Sequence, residues 1–404
     1  MTKSWPTKTL AEVCQIKPPK SEARDKLAES DLVSFLPMEA MGIDQMFVVA
    51  NQAKPLSEVA GSYTYFAEGD VLLAKITPCF ENGKLGIASG LKNGVGFGSS
   101  EYIVFRPDSS VSKEWLYYFL SREAFRVEGA ARMSGAVGHK RVAKEFIEAY
   151  PIPVPPLTEQ RRIVGILDEA FEGIATAKAN AEKNLQNARA IFESHLQSVF
   201  TQRGDGWVAT RLGDICQRVS VGHVGPTSEF YCEATKGIPF LRSQNVRPGR
   251  LDWGGVQYIT REFHERLKKS RLQVGDLLFV RVGANRGDCC AIHEAVGELN
   301  CANIVFARPT EGNAAFLERY CQSPAGREQL LGMTTGSAQG VINTKSVAEL
   351  MIPMPCPTAQ EAIVQQFDIL EEETQRLESI YQQKLAALDD LKKSLLHQAF
   401  NGEL

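Results

Sequence analysis

No stretch of the 404-residue chain reaches the ~18 consecutive apolar residues that a membrane span needs, because charge or proline interrupts every candidate. The opening Met1-Thr-Lys-Ser-Trp-Pro has no apolar segment of the kind a secretory signal carries. Cysteine is sparse and odd in number, nine in all without a Cys-x-x-Cys pair, which excludes a disulfide framework or a zinc ribbon. The expected compartment is therefore the reducing cytoplasm, with no membrane contact. Six histidines do not cluster with acids or thiols at metal-ligand spacing. A Gly-x4-Gly-Lys-Ser/Thr phosphate loop is missing. So is an Asn or Asp followed by Pro-Pro-aromatic, since Pro18-Pro19 and Pro155-Pro156 have other neighbours, and no acid-x-Lys follows Pro107-Asp108 at nuclease spacing. The chain is expected to hold no metal, no cofactor and no catalytic centre of its own. A formal net charge of -3 also excludes a uniformly cationic coat.

What is present is a repeat. At an offset of roughly 200 residues the chain matches itself. Trp5 to Gln15 answers Trp207 to Gln217, Gly69-Asp-Val-Leu-Leu answers Gly275-Asp-Leu-Leu-Phe, and Ile103-Val-Phe-Arg-Pro answers Ile304-Val-Phe-Ala-Arg-Pro. From Ile152 through Phe200 the register is constant against Ile352 through Phe400, and Gln160 falls on Gln360. Residues 1–150 and 207–350 carry short β-type runs between Gly, Pro and Asn signals, which predict two similar mixed α/β domains. Residues 151–206 and 351–404 each hold one long helix of about 40 residues, roughly 60 Å at 1.5 Å per residue. Proline-rich leads place Thr158 and Thr358 as N-caps, Thr358 forming a capping box with Glu361. Cys14 and Cys216, at matching positions among apolar residues, are expected in the cores, and Glu371-Glu372-Glu373 on a solvated face.

Apolar residues along both helices alternate at spacings of four and three, the seam of a coiled coil. One stripe is small, with Leu167, Ala170, Ala177, Ala181 and Ala188. The other is large, with Phe367, Leu370, Leu377, Tyr381, Leu388 and Leu391. Each would pack poorly on a copy of itself, so the two are expected to pair within one chain. The join from Phe200 to Trp207 is echoed by Phe400 and Trp5, giving the repeat a circular logic. The fold class is thus α+β, two similar heads separated by two long antiparallel coiled-coil helices with a pseudo-twofold repeat. A rigid spacer between two similar but non-identical heads suits the reading of a split, asymmetric DNA site.

Charge distribution agrees with that reading. Residues 207–350 carry seventeen Lys and Arg against fourteen Asp and Glu, and thirteen of the seventeen are Arg, the side chain suited to bidentate contact with guanine and phosphate. Loops mixing amide and basic side chains supply the candidate DNA contacts. These are Lys75, Thr77, Asn82 and Lys84 in the first head, answered by Arg281, Asn285 and Arg286 in the second. The turn chemistry of Asn82-Gly83 and Asn285-Arg-Gly287 explains the same residues without DNA. Arg242, Gln244, Asn245, Arg247 and Arg250 form a second set, and the matching stretch of the first head is not basic. A third pairs His139, Lys140 and Arg141 with Ser337, Gln339 and Asn343.

The proline-rich lead into Leu157-Thr-Glu-Gln-Arg-Arg-Ile, the long helix ending in Phe200, the repetition of both at 352–400, and the segment Lys75-Ile-Thr-Pro-Cys-Phe-Glu-Asn-Gly-Lys84 together resemble the DNA-specificity subunit of type I restriction-modification systems. The resemblance spans essentially the whole chain in its order of head, helix, head, helix. It implies two target recognition domains, each reading half of a bipartite site in double-stranded DNA, and helices that act as a ruler. It further implies a non-catalytic subunit of a host-defence complex that binds two modification (methyltransferase) subunits and restriction/translocase subunits. S-adenosylmethionine, ATP and Mg would then reside on those partners. The rival reading is a coiled-coil adaptor that binds only proteins.

The ruler makes a direct expectation. A four-residue insertion in the middle of one helix adds roughly 6 Å, so the methylated motif of the assembled complex should keep both half-sites and gain one or two spacer base pairs. An unchanged spacer would leave the helices only a docking role.

Overall fold

The computed structural model of the protein describes residues 5–136, 138–294, 297–333 and 340–404. It divides into two compact units, Met1–Ala181 with Gln383–Leu404, and Glu182–Gln382. Each unit therefore takes one head, part of the long helix that follows it, and part of the other long helix. Among the described residues no helix is long and apolar enough to cross a membrane.

In the first unit, a five-stranded sheet runs in the order Cys14–Ile16, Tyr102–Pro107, Val71–Ala74, Leu85–Ser89, Phe47–Val49. A four-stranded sheet follows the order Gln52–Pro55, Leu32–Leu36, Val95–Gly98, Thr64–Ala67. Helices Lys113–Ser121 and Glu123–Ala131 pack their apolar side chains on the first sheet, and Ile163, Leu167, Leu396 and Phe400 of the long helices complete that core. The second unit repeats the plan. Its sheets are Cys216–Val221, Ile304–Pro309, Leu277–Val280, Cys289–Ala291, and Gln257–Ile259, Ile238–Leu241, Leu299–Cys301, Arg271–Leu272. Leu196, Phe200 and Phe367 close the core against helix Ala314–Gln322.

The repeated Gly-Asp pair has a structural reason. Gly69 and Gly275 hold φ of +85° and +87°, a region that side chains disfavour, and the aspartate that follows caps its own turn by accepting from Ala67 N and Gln273 N. Both carboxylates are buried and meet a guanidinium through two bonds each, Asp70 with Arg106 at 2.8 Å and Asp276 with Arg308 at 2.7 Å. A buried carboxylate without such a partner is strongly destabilising. The sequence match located all four residues without revealing that they pair. Cys14 is buried, and burial pushes its thiol up to about 12; Cys216 is half-buried with the same direction and cause.

The long helices span Leu157–Thr201 and Pro357–Asn401. Each starts one residue before the expected cap, so Thr158 and Thr358 lie inside the first turn, while Pro156 and Cys356 carbonyls accept the first bonds. A proline is favourable at the first helical position, where its missing N–H costs nothing. Within the first unit the two segments run antiparallel, with Lys178 on Asp389 at 2.7 Å and Arg162 on the Leu404 carbonyl at 2.7 Å. Within the second, Arg189 meets Glu378 at 3.1 Å and Phe200 stacks on Phe367.

The seam differs from the expected one at its large-residue face. Leu377 and Leu391 are 37% and 46% exposed, while Leu385 and Leu388 are half-buried. A straight helix drifts relative to a strict 3.5-residue repeat, and here the expected Thr374, Tyr381 and Leu388 are kept in the covered stripe while Glu378 and Leu385 take the places between them. On the small-residue face Leu167, Ala181 and Ala188 are buried, Ala170 and Ala177 half-buried. Phe367 and Leu370 are buried and half-buried. Large side chains also meet one another, as Phe192 does Phe367, so the size contrast does not run the full length. Glu371 is a further correction, because it is half-buried and ion-paired with Arg319 rather than solvated.

Ala181 is 1% exposed, so Ala181→Leu should overpack its surroundings and cost ~1–3 kcal/mol in chemical denaturation. Ala179→Leu, on an exposed position, should change stability by no more than ~0.5 kcal/mol. Equal midpoints for the two variants would show that the seam has room for a larger residue.

Candidate nucleic-acid interface

Two of the candidate segments in the first head are brought together. The segment from Lys75 continues strand Val71–Ala74, and it is tied to residues 138–142 by Thr77 N donating to the Lys140 carbonyl at 2.9 Å and Val142 N to the Lys75 carbonyl at 3.0 Å. Glu101 stands between them, accepting two bonds from Arg141 at 2.7 and 2.9 Å, with Lys75 at 3.9 Å. The Arg141 hydrogen bonds, helped by the Lys75 charge, hold the Glu101 carboxyl below its ordinary range. Asn82, His139 and Lys140 are exposed at the surface of these loops. Thr77 Oγ1 is turned to Glu81 at 2.9 Å, and Lys84 Nζ to the Met38 carbonyl at 2.8 Å.

The second head repeats the arrangement with other side chains. Ile342 N donates to the Arg281 carbonyl at 3.1 Å, Arg281 Nε to the Ile342 carbonyl at 3.3 Å, and Arg286 Nη1 to the Gly340 carbonyl. Both arginines therefore hold the neighbouring loop, and Asn285 is the exposed member. Asn343 caps helix Thr344–Ala348, its Oδ1 accepting from Ser346 N at 2.9 Å. Ser337 and Gln339 lie outside the described residues. In the remaining set Asn245 is wholly buried, accepting from Arg242 N at 3.0 Å and donating to the Asp252 carbonyl at 2.9 Å. It organises the turn and cannot reach a base. Arg247 is half-buried, 3.9 Å from Asp252, and Arg242 is half-buried too. Gln244 and Arg250 are exposed, the latter at the tip of the ribbon Val246–Arg247/Arg250–Leu251.

Sequence reading missed a cleft of about 460 Å³ in the first head, where Lys17, Lys20 and Lys144 join Lys75. Its lysines come from separate stretches of chain, so no local spacing announces it. Of metal-ligand groupings, His264, Glu265 and Glu298 bring their ligand atoms within 4.8 Å of one another. Both carboxylates are already held by arginines, Glu265 by Arg271 and Glu298 by Arg261, and Asn300 Nδ2 donates to His264 Nδ1, an arrangement that leaves a proton rather than a lone pair on Nε2.

Residues 2–186 match a family model described as the type I restriction modification DNA specificity domain. The type I restriction enzyme EcoEI specificity subunit of Escherichia coli is 42% identical over 166 residues, 41% of this chain and 27% of that relative. The EcoAI specificity subunit of Escherichia coli is 32% identical over 275 residues, 61% of this chain and 46% of that relative. The chain thus spans about a quarter and just under half of these two relatives. In fold, the HsdS subunit from Thermoanaerobacter tengcongensis matches with a TM-score of 0.68 at 19% identity, covering 99% of this chain and 97% of that one. A chain from a structure on complex assembly and conformational transition of the type I R-M system reaches 0.80, also at 19% identity, with 100% of both chains covered.

The split between structural and exposed candidates is measurable. Asn245→Ala should cost ~1–3 kcal/mol through its buried, orphaned partners, and Asn343→Ala about 1 kcal/mol through the lost cap. Asn82→Ala should stay within ~0.5 kcal/mol by urea denaturation; a large loss there would make it structural as well.

Proposed function

We propose, from the match of residues 2–186 to the type I restriction modification DNA specificity domain, that the chain is the sequence-reading subunit of a type I restriction-modification complex. Each head reads one half of a bipartite site in double-stranded DNA, and the long helices set the spacer and dock two modification subunits. Restriction subunits join the same assembly. Methyl transfer, ATP-driven translocation and cleavage are then the work of those partners, with S-adenosylmethionine, ATP and Mg bound there, and the chain itself is not an enzyme.

One observation carries this reading. In each head the loop after an equivalent core strand, 75–84 or 281–287, is bonded to the residues before an equivalent helix, 138–142 or 340–343. The repeat keeps the backbone tie and changes the exposed side chains, Asn82, His139 and Lys140 in one head against Asn285 in the other. A constant frame with variable polar tips is what reading two different half-sites requires, since base edges are distinguished by donor and acceptor patterns. An adaptor that bound only proteins would have no use for two such loop pairs.

Mapping methylated bases in DNA treated with the assembled complex tests the reading. Asn82→Ala with His139→Ala should relax one half of the motif by roughly 10–100-fold, ~1–3 kcal/mol, and leave the other half intact. Asn285→Ala with Arg250→Ala should do the converse. A motif unaltered by either pair would refute the loop assignment.

A further inference from the structure

The cleft beside the loops of the first head is lined by four lysines, Lys17, Lys20, Lys75 and Lys144, together with apolar side chains that include Ile16, Ile103, Val142 and Ile147. Two of the four are already matched, Lys75 by the Ser100 carbonyl at 3.0 Å and by Glu101, and Lys144 by Glu148 at 3.0 Å. Among the described residues, Lys17 and Lys20 have no carboxylate partner. Lys20 Nζ is held over two backbone carbonyls, Gly61 at 2.7 Å and Ala60 at 3.4 Å. Burial, and then the like charges of Arg24 and Lys17, pull its pKa below the ordinary lysine range, and among the described residues its charge meets carbonyl oxygens and no carboxylate.

Lys17 is held in an unusual backbone state. Its φ is +57°, the left-handed region that side-chain-bearing residues seldom occupy and that gathers at functional sites. Its N–H is fixed on the Val104 carbonyl at 2.8 Å, which turns the chain out of strand Cys14–Ile16 at the rim of the cleft. Among the described residues the second head does not repeat this backbone state at the matching position. There the equivalent Val219 simply continues strand Cys216–Val221, paired with Ala307. The turn that places Lys17 is therefore a property of the first head and not of the repeat.

A volume of about 460 Å³ lies within the range of small-ligand sites. Its chemistry is that of an anion joined to a flat or apolar body. We propose that the cleft binds a nucleotide, its phosphate between Lys17 and Lys20 and its sugar or base against the Ile16–Ile103–Val142 wall. The same chemistry has two sources, a nucleotide of the DNA strand that flanks the first half-site and a free nucleotide. The first rests on the DNA-reading function above, and the second does not.

Two measurements on the full-length chain separate them. Duplex DNA carrying the methylated motif is titrated against salt with the chain assembled on its modification subunits, and AMP is titrated calorimetrically against the chain alone. Lys17→Gln with Lys20→Gln is compared with wild type, and Lys17→Arg with Lys20→Arg serves as the charge-keeping rescue. Matching melting temperatures exclude a folding defect. For a strand nucleotide, the slope of log affinity against log salt falls by about 0.9 per lost contact, the half-site preference is kept, the Arg pair restores the slope, and AMP does not bind. For a free nucleotide, AMP binds wild type and the Arg pair but at least tenfold more weakly to the Gln pair, with an unchanged DNA slope. An unchanged slope together with no AMP binding overturns the proposal while leaving DNA reading intact. AMP binding by a wild-type complex that ignores DNA supports the cleft and sinks the DNA-reading function instead.

Discussion

The orientation of each head depends on one buried amide. Gln160, wholly buried four residues into its helix, accepts from Ser112 N at 2.8 Å and donates to the Pro155 and Ser110 carbonyls at 2.8 and 2.7 Å. Gln360, 3% exposed, accepts from Asn313 N at 2.8 Å and donates to the Pro355 carbonyl at 2.9 Å. An amide offers donors and an acceptor at fixed angles, and in a dry environment an unmatched one is costly. So the long helix is locked to the start of the head's own helix, Lys113–Ser121 or Ala314–Gln322, in one rotation. Everything the heads present is set by that rotation.

Around the amide the two repeats fill the junction differently. In the first unit Trp115 packs between Trp5 and Phe400, with ring centroids 5.9 and 4.3 Å away. In the second Phe316 takes that place between Trp207 and Phe200, at 6.1 and 5.5 Å. One turn further along, Tyr118 bonds Asp168, where the second repeat has Arg319 on Asp368 and Glu371. A phenol and a carboxylate on one side thus answer a nearly buried guanidinium with two carboxylates on the other. The frame is shared, and its electrostatics are not, as with the exposed loop tips.

Much of this was legible before any coordinates. The internal repeat and the two long helices follow from spacing alone, because a period is a property of the string, and their antiparallel run was signalled by the repeated join of Phe200 to Trp207 and Phe400 to Trp5. The register of the seam was not, since Leu377 and Leu391 fit a 3.5-residue pattern as well as Leu385 does and only packing decides among them. Side-chain use was legible least. Asn245, Asn343 and Lys84 look like base or phosphate readers because amide and ammonium groups serve turns, caps and tethers with the same atoms they would offer DNA. The lysine cleft was invisible for a different reason, that Lys17, Lys20, Lys75 and Lys144 meet only after the sheet has formed. Conversely the Gly-Asp and Arg-Pro matches were plain in the sequence, and their joint repetition was the available signal for the buried ion pairs.

The first compact unit draws Gln383–Leu404 into the core built by Met1–Ala181. During synthesis, at ~5–20 residues per second, the first head waits on the order of 10–40 s for Leu396, Ala399 and Phe400 to emerge. For that interval the face of Trp115 and Phe119 that they cover is a bare aromatic surface beside an unpaired helix. An apolar face left open for that long is a site for nonspecific association until the chain's own last helix covers it, and rare codons placed in the second head would lengthen that exposure without changing a single residue.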